Sequence, residues 1–330
     1  MKKYQTKPIK TDMIAENAQL IIQEVEKAVI GKREALMKLL AAFLCSGGHV
    51  LLEDYPGLAK TLIANSFADA LGLDFKRIQF TPDLLPGDIT GGFIYDTRQN
   101  SFELHKGPLF SNILLADEIN RASPKTQSAL LEAMQEFQVT LEGESLKLPE
   151  PFMVIATQNP IEYEGTFPLP EAQLDRFLIC LSIGYPSLEE ELQILVRRGE
   201  RKQDSCMLSA VCTPEIFMAM RLAVESIYID LDIQKYICSL VAKTRNHKKI
   251  DLGASPRGSL ALLKLSRAWA AIQGRDYVLP DDVKTFAHCA LSHRIILDPN
   301  LWGSKKILQD VMDELVQSVP VPVVPSYSND

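Results

Sequence analysis

Five short apolar runs predict the strands of a buried sheet. They lie at residues 49–53, 75–80, 112–116, 152–157 and 177–183. Four of these runs are almost continuously apolar, which is typical of strands that are covered on both faces. Segments with helical periodicity, such as 33–46 and 124–137, lie between or before them. This alternation predicts an α/β fold of three layers, in which helices cover both faces of a five-stranded parallel sheet.

The pattern changes after the GYPS segment at residues 184–187, beyond which we find helical periodicity and no strand run. Ser187 and Glu190 have the spacing of a capping box, which predicts that a helix begins there. We therefore predict two domains. An α/β domain covers residues 1–185, and an all-helical domain covers residues 186–330 and ends in a proline-rich tail.

Two further segments alternate between apolar and polar residues around a turn. Residues 91–108 alternate around Gln99 and Asn100, and residues 137–152 alternate around Gly143. Such alternation about a short polar or glycine-containing turn predicts β-hairpins.

Composition and charge narrow the class of protein. The 330 residues carry a net charge of −7, which argues against a broad basic surface for nucleic acid. The chain has no apolar run of membrane-spanning length and no secretion signal at its start, so we expect no membrane insertion and a cytoplasmic location. Its six cysteines form no C-x-x-C pair, which indicates free thiols in a reducing compartment.

The segment LLEDYPGLAKT at residues 51–61 resembles the phosphate-binding pattern G-x-x-x-x-G-K-[ST]. Lys60 and Thr61 supply its last two letters, whereas Asp54 and Ala59 stand at the two glycine positions. In such loops backbone N–H groups hold phosphates, the lysine reaches the β- and γ-phosphates, and the hydroxyl binds Mg²⁺. The segment taken alone is equally well read as a strand-to-helix turn that ends in Lys-Thr.

A second motif favours the nucleotide interpretation. Asp117 and Glu118 end the apolar run at 112–116, and adjacent carboxylates at the end of a buried strand are costly unless they are used. The carboxyl ends of parallel strands are where α/β sheets bind ligands. We expect Asp117 to hold Mg²⁺ and Glu118 to orient the attacking water. The alternative is a pair of solvated loop acids.

Three more residues are candidates for contacts with phosphate. Asn159 follows the run at 152–157, where an amide has access to a γ-phosphate or its water, although a polar strand end is the simpler interpretation. Arg176 precedes the last predicted strand. Arg257 lies in the first turn of a predicted helix, where a cation opposes the helix dipole. Without the other motifs both arginines read as structural.

Together these motifs resemble the MoxR family of AAA+ ATPases over roughly residues 25–300. The resemblance is carried by EDYPGLAKT, FTPDLLPGDITG, GPLFSNILLADEINRASPKTQSALLEAMQE, VIATQNPIEYEGTFPLPEAQLDRF and ASPRG. It implies a P-loop NTPase core followed by a helical lid domain. Members of the family often carry Asp or Gly at the position of Asp54 and Ala or Gly at that of Ala59. Tyr55 departs from the small aliphatic residue that is usual there, and this departure bears on nucleotide affinity.

The resemblance implies ATP and Mg²⁺ as cofactors and gives each motif a role. Lys60 looks like the phosphate lysine, and Thr61 looks like a magnesium ligand together with Asp117. Glu118 completes the Walker B pair. The remaining catalytic positions are Asn159 as sensor 1, Arg176 as the arginine finger on the neighbouring subunit's ATP, and Arg257 as sensor 2, reaching from the lid.

The resemblance also implies a set of nucleotide-binding positions. In the loop these are Asp54, Tyr55, Pro56, Gly57, Leu58, Ala59, Lys60, Thr61 and Leu62. Ile30 and Gly31, in the VIGK segment at 29–32, are expected to line the adenine pocket.

For the whole protein the resemblance implies Mg²⁺-dependent ATP hydrolysis by a homo-oligomeric, hexameric ring. Relatives act as chaperones on client proteins and often work with proteins that carry a von Willebrand A domain. In relatives the two hairpins face the ring pore or the partner. Hydrolysis is expected to release contacts of Arg257 and to rotate the lid about a hinge near residue 185.

Three other functions compete with this hypothesis. A regulatory ATP-binding switch with little turnover is supported by Tyr55 and Ala59. A nucleic-acid motor is disfavoured by the net charge of −7 and by the lack of a basic cluster with aromatic residues. An ATPase of transcription initiation needs a GAFTGA-type loop, and GGFIYD at residues 91–96 is not one.

Overall fold

A parallel sheet forms the centre of the first half of the molecule. The computed structural model describes residues 9–55, 57–98, 100–159, 165–301 and 305–322. Its strands are β1 (Val50–Glu53), β2 (Phe75–Gln79), β3 (Gly91–Asp96), β4 (Ser101–Lys106), β5 (Ile113–Asp117), β6 (Gln138–Leu141), β7 (Glu144–Lys147), β8 (Met153–Gln158), β9 (Ile179–Leu181), β10 (Ile250–Leu252) and β11 (Ile296–Leu297). All five predicted strands are confirmed, and they form one sheet in the order β2-β5-β8-β1-β9 with every pair parallel.

Helices cover this sheet and make up most of the second half. They are α1 (Thr11–Val25), α2 (Arg33–Leu44), α3 (Lys60–Leu71), α4 (Pro86–Thr90), α5 (Pro124–Glu136), α6 (Glu171–Leu174), α7 (Leu188–Arg201), α8 (Pro214–Val224), α9 (Leu231–Arg245), α10 (Pro256–Ile272), α11 (Pro280–Leu291) and α12 (Lys305–Ser318). Within the described ranges, no helix is both long and apolar enough to cross a membrane.

The parallel arrangement gives the sheet two chemically different edges. The carboxyl edge carries Asp54 after β1, Asp117 at the end of β5 and Asn159 after β8. The amino edge carries His49 before β1 and Leu178 before β9. A strand rises about 3.3 Å per residue, so the six residues of β8 separate the two edges by roughly 20 Å.

The strands divide their side chains between two hydrophobic clusters. Leu52 and Leu115 belong to the larger cluster, whereas Leu51 and Leu114 point to the smaller one on the other face. The larger cluster continues from α1 and α2 into the helices of the second half, where α1 and α2 both pack on α10. The helices before the sheet therefore share a core with those after it.

The predicted hairpins and the capping box are confirmed. β3 pairs with β4 and β6 pairs with β7, both antiparallel. Gln99, in the first turn, lies outside the described residues. At the start of α7, the Ser187 Oγ accepts a hydrogen bond from the Glu190 N–H, and the Glu190 carboxylate accepts one from the Ser187 N–H.

The sequence predicted a purely helical second half, but the structure also contains two short strands there. β10 and β11 form a small antiparallel pair. Their three and two residues are too few to produce a periodic run, which is why the sequence pattern did not reveal them. The proline-rich tail is described only as far as Pro322.

Candidate active site

A crevice of about 460 Å³ opens at the carboxyl edge of the sheet. It is lined by Gly57, Leu58, Ala59, Lys60, Thr61, Leu62, Arg77, Gln79, Asp117, Glu118, Thr157 and Asn159. The fold therefore brings the predicted lysine, hydroxyl, carboxylate pair and asparagine together from three separate segments. It also adds three polar side chains that the sequence analysis did not select.

The loop between β1 and α3 takes a left-handed conformation at two positions. Gly57 has φ +82°, and Ala59 has φ +54° and ψ +19° directly before α3. A left-handed conformation costs an L-residue roughly 1–2 kcal/mol and is usually left to glycine. Ala59, at the second glycine position of the pattern, therefore adopts a backbone conformation that usually requires glycine. The N–H groups at the start of α3 remain available to an anion.

Asp54, at the first glycine position of the pattern, has a structural role. Its carboxylate is buried and accepts hydrogen bonds from the Ser182 hydroxyl and from the backbone N–H groups of Ile183 and Gly184. The side chain thus ties the loop to the segment after β9 and does not line the crevice. Only its backbone carbonyl reaches the site, where it accepts a bond of 2.6 Å from the Lys60 Nζ.

Lys60 is held in place by that bond and by its surroundings. Burial lowers the pKa of Lys60, while the carboxylates of Asp54, Asp117 and Glu118 act in the opposite sense. Desolvation disfavours the ammonium form, so an anion entering the crevice would restore the lost stabilisation of the charge. The lysine is thus prepared for an anionic ligand.

Asp117 already has a partner on each carboxylate oxygen. The Thr157 hydroxyl donates to its Oδ1 at 2.6 Å, and the Arg77 Nη2 donates to its Oδ2 at 2.7 Å. Thr157 also accepts the backbone N–H of Glu118 at 2.8 Å, so one hydroxyl positions both members of the acidic pair. Arg77 comes from β2, the neighbouring strand, and supplies a positive charge beside the carboxylate that is expected to bind metal.

Glu118 is restrained in the same way. Its Oε2 accepts hydrogen bonds from the Gln79 Nε2 at 2.7 Å and from the Arg121 Nη1 at 2.9 Å. Its backbone is left-handed, with φ +56° and ψ +51°. For a non-glycine residue this costs on the order of 1–3 kcal/mol, and such residues cluster at functional sites.

The oxygen donors of the crevice fit Mg²⁺. The Thr61 hydroxyl and the Asp117 carboxylate both line the crevice, and oxygen ligands of this kind are what Mg²⁺ prefers. The protein supplies few donors, as is usual where Mg²⁺ also binds substrate phosphates.

Tyr55 and the VIGK segment meet beside the crevice instead of lining it. The ring of Tyr55 stacks on that of Tyr185 with centroids 5.7 Å apart. The Lys32 Nζ donates to the Tyr185 carbonyl at 2.9 Å, which places Ile30 and Gly31 close to the same segment. Pro56 lies outside the described residues.

Arg176 and Arg257 lie at the opposite edge of the sheet. They line a cavity of about 280 Å³ together with amino-edge residues, among them His49 and Leu178. The Arg176 Nε is buried and has no hydrogen-bond partner among the described residues. The Arg257 Nη1 lies 3.7 Å from the Asp175 Oδ2.

Asp175 fixes this arrangement. Its carboxylate pairs with the Arg294 Nε at 2.7 Å and accepts the Ser255 hydroxyl at 2.9 Å. Ser255 caps α10, so the helix that carries Arg257 starts next to Arg176. Arg257 therefore lies outside the crevice of its own chain, because α10 begins at the amino edge.

Sequence reasoning missed Arg77, Gln79, Thr157 and Arg121. Arg77 and Gln79 are two apart on β2 and so share one face, but only the register with β5 shows which residues they meet. Gln79 lies directly opposite Asp117. A single sequence contains no information on that pairing.

Two family models match parts of this chain. Residues 49–179 match the model of the ATPase family associated with various cellular activities (AAA), and residues 242–315 match that of the AAA lid domain. The chain is 41% identical to the chaperone MoxR1 of Mycobacterium tuberculosis over 312 residues, covering 92% of this chain and 82% of that protein.

Two further relatives extend over nearly the whole chain. An uncharacterized protein of Bacillus subtilis, YeaC, is 48% identical, and the alignment covers 92% of this chain and 94% of that protein. A candidate ATPase from Cytophaga hutchinsonii, solved by crystallography, superposes with a TM-score of 0.87 at 40% identity, covering 95% of this chain and 97% of that one.

The conformation of Ala59 generates a first prediction. We expect Ala59→Gly to leave nucleotide binding intact and to raise the free energy of unfolding by about 0.5–1 kcal/mol, because relief of the left-handed strain exceeds the added freedom of the unfolded chain. Ala129→Gly, in the middle of α5, is the control and should lose about 1 kcal/mol. Urea unfolding measures both. Equal losses in the two variants would contradict the strained geometry of the loop.

The ion pair between Arg77 and Asp117 generates a second prediction. The Arg77 side chain is 48% exposed, so the pair is worth at most about 1 kcal/mol, or roughly fivefold in a binding constant. Arg77→Met should therefore lower the Mg²⁺ concentration that half-saturates binding of a fluorescent ATP analogue, by up to about fivefold. Lys76→Met removes the same charge from the other face of β2 and should have little effect. A higher Mg²⁺ requirement in Arg77→Met would show that the guanidinium assists metal binding instead of competing with it.

Proposed function

The chain belongs to the MoxR family of AAA+ ATPases, and on that premise we propose that it binds ATP at the carboxyl-edge crevice and hydrolyses it in a Mg²⁺-dependent reaction. The observation that carries the proposal is the convergence of Lys60, Thr61 and the carboxylates 117 and 118 on one crevice at the start of a helix. Helix N-termini with free N–H groups favour phosphate.

Each residue of the crevice has a task that follows from its position. Lys60 and the N–H groups that open α3 hold the β- and γ-phosphates, and Asn159 contacts the γ-phosphate or its water. Thr61 and Asp117 would hold Mg²⁺, which would neutralise charge on the phosphates. Glu118 orients the attacking water once it leaves Gln79 and Arg121.

The position of the two arginines supports a ring. Arg176 and Arg257 lie roughly 20 Å from the crevice of their own chain, across the length of the strands. They can serve only a crevice that another chain presents to the amino edge. That contact is head-to-tail, and head-to-tail contacts that close generate rings. We propose a homo-oligomeric ring, of six subunits as the family resemblance implies, in which both arginines act on the neighbour's ATP.

The biological task proposed for this ring is that of a cytoplasmic chaperone that remodels or assembles partner protein complexes. MoxR1 of Mycobacterium tuberculosis, a relative, is named a chaperone. The hairpins β3–β4 and β6–β7 are candidates for client contacts, since Phe102 and Ile94 in the first are 69% and 55% exposed. We also propose a partner protein that carries a von Willebrand A domain. Within the chain, we propose a hinge near residue 185, between a nucleotide-binding domain and a lid.

A regulatory module with little turnover is the second candidate. One observation favours it. The carboxylates of Asp117 and Glu118 already accept hydrogen bonds from Arg77 and Gln79, which compete with metal binding and with activation of water. Steady phosphate release that disappears in Glu118→Gln, while ATP binding persists, decides for the enzyme. A rate that is the same in both proteins decides for the module.

Mixed rings test on which side each arginine acts. Arg176→Ala should cut hydrolysis by roughly 10³ to 10⁵ while sparing ATP binding, the range typical of an arginine finger. Mixing it with Lys60→Ala should restore part of the activity, because each variant supplies the half-site that the other lacks. Arg257→Ala mixed with Lys60→Ala should behave likewise. Phosphate release and light scattering report activity and assembly.

The decisive mixture combines Arg176→Ala with Arg257→Ala. If both arginines act on the neighbour, every mixed interface lacks one of them and the mixture stays inactive. Recovery of activity in that mixture would show that Arg257 serves the ATP of its own chain.

A further inference from the structure

Helix α7 turns its apolar side to solvent. Leu188, Leu192, Leu195 and Val196 are 80%, 61%, 65% and 50% exposed, and no residue of the helix is buried. These four residues follow the helical spacing of three and four and form one stripe, called here the α7 stripe. A surface helix ordinarily buries such a stripe against its own core.

The opposite side of α7 attaches it to the molecule through polar contacts. The Arg197 Nη1 donates to the Glu26 carbonyl at 2.8 Å. The Glu190 carboxylate lies 3.3 Å from the Lys32 Nζ. At 100° per residue, residues 190 and 197 project about 160° or more from Leu188. The helix is thus fixed by its polar side, and the α7 stripe is left without a cover among the residues that the structure describes.

The α7 stripe starts close to the loop between β1 and α3. Leu188 follows Tyr185 by three residues, and Tyr185 stacks on Tyr55 of the phosphate loop. The Tyr185 ring is itself 66% exposed. Any chain that reaches into the crevice with Arg176 and Arg257 therefore approaches the α7 stripe as well.

The surface around these arginines complements α7. On α10, Arg257, Leu260 and Lys264 are spaced by three and four and share one side of the helix, with Leu260 57% exposed. The apolar Leu260 thus lies between two cationic side chains. The first turn of α7 is acidic, with exposed Glu189 and Glu191 next to the stripe. Opposite charges around apolar centres favour this pairing and its orientation.

We propose that a second copy of this chain covers the α7 stripe, through the exposed side of α10 that carries Leu260, whenever it delivers Arg176 and Arg257 to the crevice. This inference rests on the proposed ring and names the surface that holds the ring together. The proposed contact is leucine on leucine, flanked by the carboxylates of α7 and the Lys264 ammonium of α10.

The experiment measures assembly of the full chain with ATP and Mg²⁺ by sedimentation velocity over a range of protomer concentrations. Leu192→Gln combined with Leu195→Gln keeps helix-forming residues but removes the apolar contact. We expect the concentration for half-assembly to rise about tenfold or more, while binding of a fluorescent ATP analogue to the protomer is unchanged. Leu260→Gln should reproduce the effect from the other surface.

A matched control replaces two exposed leucines elsewhere, Leu222→Gln with Leu231→Gln, which are 45% and 62% exposed on α8 and α9. This variant should assemble like the wild type. If the α7 variant also assembles like the wild type, the inference is overturned while the proposed ring stands. A wild-type protein that stays monomeric at all concentrations with ATP overturns both.

A photo-crosslinking residue at position 192 identifies the occupant directly. With ATP present, we expect crosslinks between two chains that map by mass spectrometry to residues 256–272. Assembled rings whose crosslinks map to any other segment would show that a different surface covers the stripe.

Discussion

The separation of the two edges of the parallel sheet is the constraint on which the rest of the structure depends. Strand direction places the phosphate loop and the carboxylate pair at the carboxyl edge, and it places Arg176 and Leu178 at the amino edge. No side chain spans roughly 20 Å. A crevice that needs both sets of groups has to obtain one of them from another molecule, and this requirement links catalysis to assembly.

Buried polar contacts adjust the site within that frame. Asp54 anchors the loop to the end of β9, and Asp175 anchors α10 to the start of β9. The same short strand thus positions the phosphate loop on one edge and the arginines on the other. A shift of the helical half relative to β9 would move groups at both edges. In the ring that we propose, this gives a physical route from the ATP of one chain to the arginines that act on the ATP of the next.

Much of the fold and of the candidate site was predictable from the sequence. The remaining features could not be predicted, because they depend on contacts between distant segments. Continuous apolar runs revealed every strand of the main sheet, and carboxylates after a strand marked the crevice. The partners of Asp117 and Glu118 depend on the register of β2 against β5, which no local pattern encodes. The edge at which Arg257 lies could not be predicted, because its position depends on the packing of α10 against α1 and α2. The exposure of the apolar side of α7 could not be predicted, because its sequence is that of an ordinary amphipathic helix.

The most direct test of this account is a structure of the assembled protein with a slowly hydrolysed ATP analogue and Mg²⁺, determined by electron cryo-microscopy. We predict that the γ-phosphate is contacted by Lys60 of one chain and by Arg176 and Arg257 of the next. A γ-phosphate that is contacted by one chain alone, or nucleotide bound away from Lys60 and Asp117, would contradict it.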